Sequence, residues 1–199
     1  PAEAIIPVFR SDGSGTTFVF TDYLTKVSPM WKEKFGAGKS VNFSSGQAAK
    51  GNPGVAGVIS QTKNSIGYVS SEYAFALKIP YARIRNVRGE FVLPSSATIS
   101  AAASGVIPAD TRTSITNVDA VGAYPISTFT WMIIYKEQNY SDRSKEQAEA
   151  TLDLLKYILS DEVQNITSEV HYAPLPAKTK ELNMTNLKTV TYDGVAILQ

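Results

Sequence analysis

Apolar residues in this chain come in short runs set off by Gly, Ser, Pro and Asn, and the runs follow two periods. Ile5-Ile6-Pro7-Val8-Phe9 has the length of a strand. From about Thr16 to Val27, Phe20, Leu24 and Val27 recur at helical spacing on one face. Ser28-Pro29 is an N-cap followed by Pro at the first helical position, which predicts a short second helix to Phe35 with Trp31 and Phe35 turned inward. Val41-Asn42-Phe43 reads as a strand with one buried face. Asn52 reads as an N-cap, with Pro53 first in a helix to about Gln61. Ile66-Gly67-Tyr68-Val69 reads as a short buried strand. Ser71 is the expected cap of a helix from Glu72 to Leu77, and Tyr81–Val87 and Glu90–Val92 form a hairpin turned at Arg88-Gly89. Ser95 caps a helix from Ala97 to Ala103, and residues 108–124 carry too few periodic apolar positions to be more than loop.

The second half opens on the strongest strand signal of the chain, Thr128 to Tyr135. Phe129, Trp131, Met132, Ile133 and Ile134 lack strict alternation, which predicts a central strand covered on both faces. Ser144 then opens the clearest helix, to about Leu159, with Ala148, Leu152, Leu155 and Leu159 as its buried stripe. Asp161 caps a helix to about Val170, Ala177–Leu182 is a last short helix, and Thr189–Tyr192 alternates weakly. Short strands alternating with helices predict an α/β fold, a mixed sheet flanked by helices.

Composition narrows the chemistry. Of 199 residues, 43% are hydrophobic and 19% charged, and the net charge is +1. Such a chain is globular, and any affinity for anions must be local rather than a property of the whole surface. With no cysteine, disulfides, thiolate catalysis and zinc–thiolate sites are excluded. These residues contain neither a charged n-region followed by an apolar stretch nor a run long enough to cross a bilayer. The basic cluster Arg83, Arg85 and Arg88 lacks interleaved aromatic groups, so it reads as a solvated hairpin and not as a nucleic-acid patch. His171 is the single histidine, without a metal partner set or triad signature, and is expected in a structural role.

The candidate chemistry lies in Arg10-Ser11-Asp12-Gly13-Ser14-Gly15-Thr16-Thr17, between the first strand and the first helix. Backbone N–H groups at a helix start have no intrahelical partner, and the helix dipole adds positive potential there. Gly13 and Gly15 let the backbone come close to a ligand, Ser14, Thr16 and Thr17 can add hydroxyl donors, and Arg10 supplies a forked cation. Asp12 repels an anion unless its task is to hold the guanidinium in place. Three competing motifs fail. Gly46 and Gly51 have P-loop spacing, but Asn52-Pro53 stands where Lys-Ser/Thr must be. Ser60-Gln61-Thr62-Lys63 matches S-x-x-K without its companion motifs, and the opening loop has Asp12 and Thr16 where a nucleophile elbow needs glycine.

The octapeptide, followed by Phe18-Val19-Phe20-Thr21-Asp22-Tyr23-Leu24, closely resembles the second-lobe anion loop of the phosphate-binding proteins of bacterial ABC transporters, which are periplasmic substrate-binding proteins. Ser65-Ile66-Gly67-Tyr68-Val69, Ala123-Tyr124-Pro125-Ile126-Ser127, Ile134-Tyr135-Lys136 and Ala173-Pro174-Leu175-Pro176 fit the same family in order and spacing, from about residue 5 to about residue 180. The resemblance implies the second lobe of a type II periplasmic binding protein over residues 1–124. It makes residues 125–199 the return strand and C-terminal helices that belong to the first lobe. It implies that Ser14, Gly15 and Thr16 contact phosphate oxygens and that Arg10 binds phosphate, oriented by Asp12. It places Lys50 and Asn52 near the ligand cleft. It makes Tyr124 and Pro125 hinge candidates, with a rigid lead-in to the following strand as the alternative. The partners it implies are inorganic phosphate and a membrane permease, in an exported, periplasmic or cell-surface setting, with no cofactor, metal or nucleic acid. In the family an N-terminal segment supplies the remaining donors and a carboxylate that accepts the proton of hydrogen phosphate. Neither has a counterpart in these 199 residues, so selectivity over sulfate does not carry over, and a second chain supplying the first lobe is one route to a complete site.

Two other function classes compete. An enzyme acting on a phosphorylated substrate could use the same loop, but the sequence offers no metal-spaced carboxylates and no activated nucleophile. A sensor or interaction domain could keep the fold and use it for partner contact.

Overall fold

The computed structural model of the protein describes residues 2–198. Its nucleus is a three-stranded parallel sheet, order β2-β1-β3, built from β1 (Ile6–Arg10), β2 (Gln47–Ala49) and β3 (Ser65–Gly67). Helices α1 (Gly15–Val27) and α2 (Pro29–Lys34) follow β1, α3 (Gly51–Gln61) links β2 to β3, and α4 (Ser71–Ala76) follows β3. The register pairs Val8 with Gln47 on one side and with Gly67 on the other. Gly67 is required there, because a Cβ would lie 2.7 Å from the Val8 carbonyl oxygen and 2.8 Å from Ile59 Cδ1. Val8, Val55 and Ala56 form the buried contact between β1 and α3. Alongside lies an aromatic ladder: Phe9 stacks on Phe43 at 4.6 Å, and Phe20 stacks on Tyr68 at 4.5 Å.

Beyond this nucleus the chain forms a hairpin of β4 (Ile84–Arg85) and β5 (Phe91–Val92), then α5 (Ser96–Ala102). Helices α6 (Lys145–Ile158), α7 (Asp161–Thr167) and α8 (Ala177–Leu187) and a C-terminal hairpin of β6 (Thr191–Tyr192) and β7 (Val195–Ala196) complete it. Hydrophobic burial is divided. One cluster holds Ala102, Ala103, Ile115 and Ala123, and another holds Leu152, Leu187 and Val190. The helix caps follow the local sequence. The hydroxyls of Ser14, Ser28, Ser95 and Ser144 each accept an N–H of the first turn, and Thr98 and Gln147 close capping boxes. No helix among the described residues is long and apolar enough to cross a membrane.

Six expectations are corrected. Residues 41–43 form no strand; pairing with β1 falls at Gln47–Ala49 instead. Gly46 enables this, since its φ of +120° and the close Pro7 carbonyl admit only glycine. The residues around Ile66 do form a strand, but it lies at the sheet edge with Ile66 exposed, so it is not a buried strand. Asn52 is not the N-cap of its helix. Lys50 holds that position, with Gly51 at φ +69°. Ser70 and Ser160 precede α4 and α7 where Ser71 and Asp161 were expected. The largest difference is Thr128–Tyr135, which forms no strand. A central strand needs hydrogen-bonding neighbours on both sides, and among the described residues none pairs with it; Ile133 stands 93% exposed.

Candidate anion-binding site

The site is built where β1 ends and α1 begins. Ser14 is the N-cap of α1, with extended backbone, and is 4% exposed. Its N–H donates to the Lys39 carbonyl at 2.8 Å, and its Oγ accepts the Thr17 N–H at 3.2 Å. Acceptance uses a lone pair and leaves the Ser14 O–H proton free to donate. The N–H groups of Gly13, Gly15 and Thr16 have no acceptor among the described residues, and the space beside the Cα atoms of Gly13 and Gly15 is open. Unpaired N–H groups at the positive end of a helix of 13 residues favour an anion.

Arg10, the last residue of β1, brings the charge. Its Nε donates to Asp12 Oδ1 at 2.8 Å and its Nη2 to Asp12 Oδ2 at 2.6 Å, a bidentate pair. Its Nη1 donates to Asn52 Oδ1 at 3.0 Å. These bonds engage three of the five guanidinium N–H groups and leave one on each terminal nitrogen. Asp12 is itself held from a second side by the Gly51 N–H at 3.0 Å. Hydrogen bonding to Arg10, and after it to Gly51, keeps the Asp12 carboxyl well below the usual carboxylate range, and bonding to Asp12 raises Arg10 further. The carboxylate is thus charged and grips the cation at two of its nitrogens.

Asn52 enters this network although it does not cap its helix. Arg10 can only donate, so the Asn52 carbonyl oxygen must face it, and the Asn52 amide donors are left unengaged among the described residues. Lys50 is exposed and has no side-chain hydrogen bond there; it flanks Gly51 without joining the Arg10 network. Tyr124 and Pro125 are not brought to the loop. The Tyr124 N–H donates to the Thr98 carbonyl, and the buried Pro125 carbonyl accepts the Asn117 N–H. Burial pushes the Tyr124 phenol up to about 12. His171 is exposed and meets Phe75 edge-on at 5.6 Å. Among the described residues no group of His, Asp and Glu has the geometry of a metal site. The sequence reading missed the Lys39 carbonyl that fixes Ser14 and the Tyr68 hydroxyl that reaches Thr17. Neither had a signal, because backbone acceptors carry no sequence pattern and Tyr68 lies 51 residues from Thr17.

Comparison with known proteins gives this geometry its relatives. The phosphate-binding protein PstS of Xylella fastidiosa (strain Temecula1) is 41% identical over 179 residues, 88% of this chain and 48% of that protein. PstS of Methanocaldococcus jannaschii is 37% identical over 209 residues, covering 96% of this chain and 52% of its own. The chain therefore spans about half the length of the curated relatives it matches. Among solved structures, the phosphate-bound periplasmic phosphate-binding protein PfluDING superposes with a TM-score of 0.64 at 21% identity, over 92% of this chain and 57% of that one. A human phosphate-binding apolipoprotein superposes with a TM-score of 0.62 at 18% identity, over 98% of this chain and 61% of that one. At these identities the superpositions establish the shared fold. The PBP superfamily domain matches residues 1–162, and the chain belongs to that superfamily.

Proposed function

We propose that this chain binds inorganic phosphate at the β1–α1 loop, as the solute-binding component, or part of it, of an ABC-type phosphate importer. One observation carries the reading: the two free guanidinium donors of Arg10 stand at the same loop as the free N–H groups of Gly15 and Thr16 and the Ser14 hydroxyl. A tetrahedral oxyanion meets such a convergent set of donors with several oxygens at once. The relatives carry phosphate binding in their names. In this reading Ser14, Gly15, Thr16 and Arg10 contact the anion, Asp12 orients Arg10, and Asn52 turns its amide toward the cleft. Residues 1–124 form the ligand lobe and residues 125–199 the return to the other lobe, with Tyr124 and Pro125 at the crossing. A permease in the membrane, an exported location, and completion of the clamp by further chain or by a second chain belong to the same proposal.

The test is a calorimetric titration of phosphate into the 199-residue chain, with sulfate and Arg10→Ala as controls. Saturable binding weakened about tenfold or more in Arg10→Ala is expected, since a hydrogen bond to a charged group contributes about 1.5–3 kcal/mol. Absence of heat at millimolar phosphate, or an affinity indifferent to Arg10, sinks the reading. The one carboxylate of the loop, Asp12, is already bound by Arg10 and the Gly51 N–H, so sulfate is expected to compete with phosphate.

A further inference from the structure

We propose that Tyr68 is a positioning residue of the anion site, an inference that rests on the reading of the β1–α1 loop as that site. Ladder pairing between β1 and β3 ends at Val8 and Gly67. Arg10 lies beyond that pair on the same side of β1, where no strand carbonyl reaches its N–H. The Tyr68 hydroxyl takes the place of the missing acceptor: the Arg10 N–H donates to it at 3.4 Å. The same hydroxyl is 2.8 Å from Thr17 Oγ1. Either hydroxyl can supply the proton of this second bond. One oxygen therefore ties the residue that carries the guanidinium to the first turn of α1, across Ser11–Thr16.

The oxygen can do this because the ring is fixed. Tyr68 lies nearly parallel to Phe20, with 16° between the planes, and approaches Phe43, itself stacked on Phe9. Thr17 is almost wholly buried, so its side chain has little room to turn away. The consequence is a fixed distance between the Arg10 donors and the free N–H groups of Gly15 and Thr16, which is the spacing an oxyanion must match. A loop ordered before the ligand arrives has less entropy to lose on binding. Tyr68 does this without touching the anion, which separates it from Arg10 and Ser14.

Tyr68→Phe keeps the stacked ring and removes only the bridge; Thr17→Val removes the other partner. Amide hydrogen exchange of the ligand-free chain is read at Arg10, Ser11, Ser14 and Thr17, together with the urea midpoint and the phosphate affinity. Exchange at these amides is expected to speed up about three- to tenfold in Thr17→Val, the size of one lost hydrogen bond, and at least as much in Tyr68→Phe, which loses two, with the urea midpoint lowered no further than those bonds account for. The double variant should change no more than Tyr68→Phe alone. Phosphate affinity should fall by a similar factor. Unchanged exchange in Tyr68→Phe overturns the inference, as does additivity of the two variants. If the unsubstituted chain binds no phosphate, the functional reading fails, and the exchange data still decide whether Tyr68 orders the loop.

Discussion

Asn52 and Asp12 divide the work of aiming one guanidinium. Asp12 takes Nε and Nη2 in a charge-assisted pair, while Asn52 takes Nη1 with a neutral oxygen. A neutral group on the second side steadies the cation without adding negative charge beside its free donors. Asn52→Ala should therefore weaken phosphate binding about tenfold, and Asn52→Asp should weaken it more, because a second carboxylate competes with the ligand for the same donors. Titrations of both variants beside the parent chain give the order. Equal or tighter binding by Asn52→Asp would show that its charge does not face the ligand.

At the scale of elements, α1 and α6 are held in different ways. The buried positions of α1 are Thr17, Thr21 and Tyr23, while Phe20 and Leu24 are only half-buried and Val27 is exposed. Its N-terminus is fixed by polar bonds, and the same end carries the free N–H groups of Gly15 and Thr16. Helix α6 follows the simple rule: a capping box at Ser144 and Gln147, then Ala148 and Leu152 fully buried, with Leu155 and Leu159 on the same stripe. Leu152→Ala leaves a cavity among Leu187 and Val190 and should cost about 2–5 kcal/mol in urea unfolding. Helix α6 supplies no group to the anion loop, so phosphate affinity measured well below the unfolding transition should stay as in the parent chain. A matching loss of affinity would mean that the two regions are coupled.

For the whole molecule, Glu137 connects the segment after the exposed apolar run to the C-terminal hairpin. Its carboxylate accepts the N–H groups of Asn139, Asp193 and Gly194 and the hydroxyl of Thr191, at 2.8 to 3.1 Å. The Asn139 N–H, and after it the Thr191 hydroxyl, push its carboxyl down to about 2 from an ordinary 4.5. Because the folded value is depressed, the stability it contributes is present above the ordinary value and is lost as pH falls through about 2. Urea midpoints measured from pH 5 down to 2 should therefore drop, and Glu137→Gln should flatten that part of the slope while lowering the midpoint at pH 7. An unchanged slope in Glu137→Gln would assign the acid sensitivity to other carboxylates, Asp12 first among them.

Local grammar made much of this protein legible. The apolar run and Gly/Ser turn before α1, the serine caps of α2, α5 and α6, and the pairing of Arg10 with Asp12 all depend on groups a few residues apart, whose geometry the backbone fixes by itself. Tertiary structure decided the rest. The register of β2 against β1, the Lys39 carbonyl under Ser14 and the Tyr68 hydroxyl across the loop join residues distant in the chain. Thr128–Tyr135 carries the sequence of a central strand, but a strand exists only through the neighbours that satisfy its backbone. Apolar character says that a segment seeks cover, and only the assembled fold determines whether cover is there.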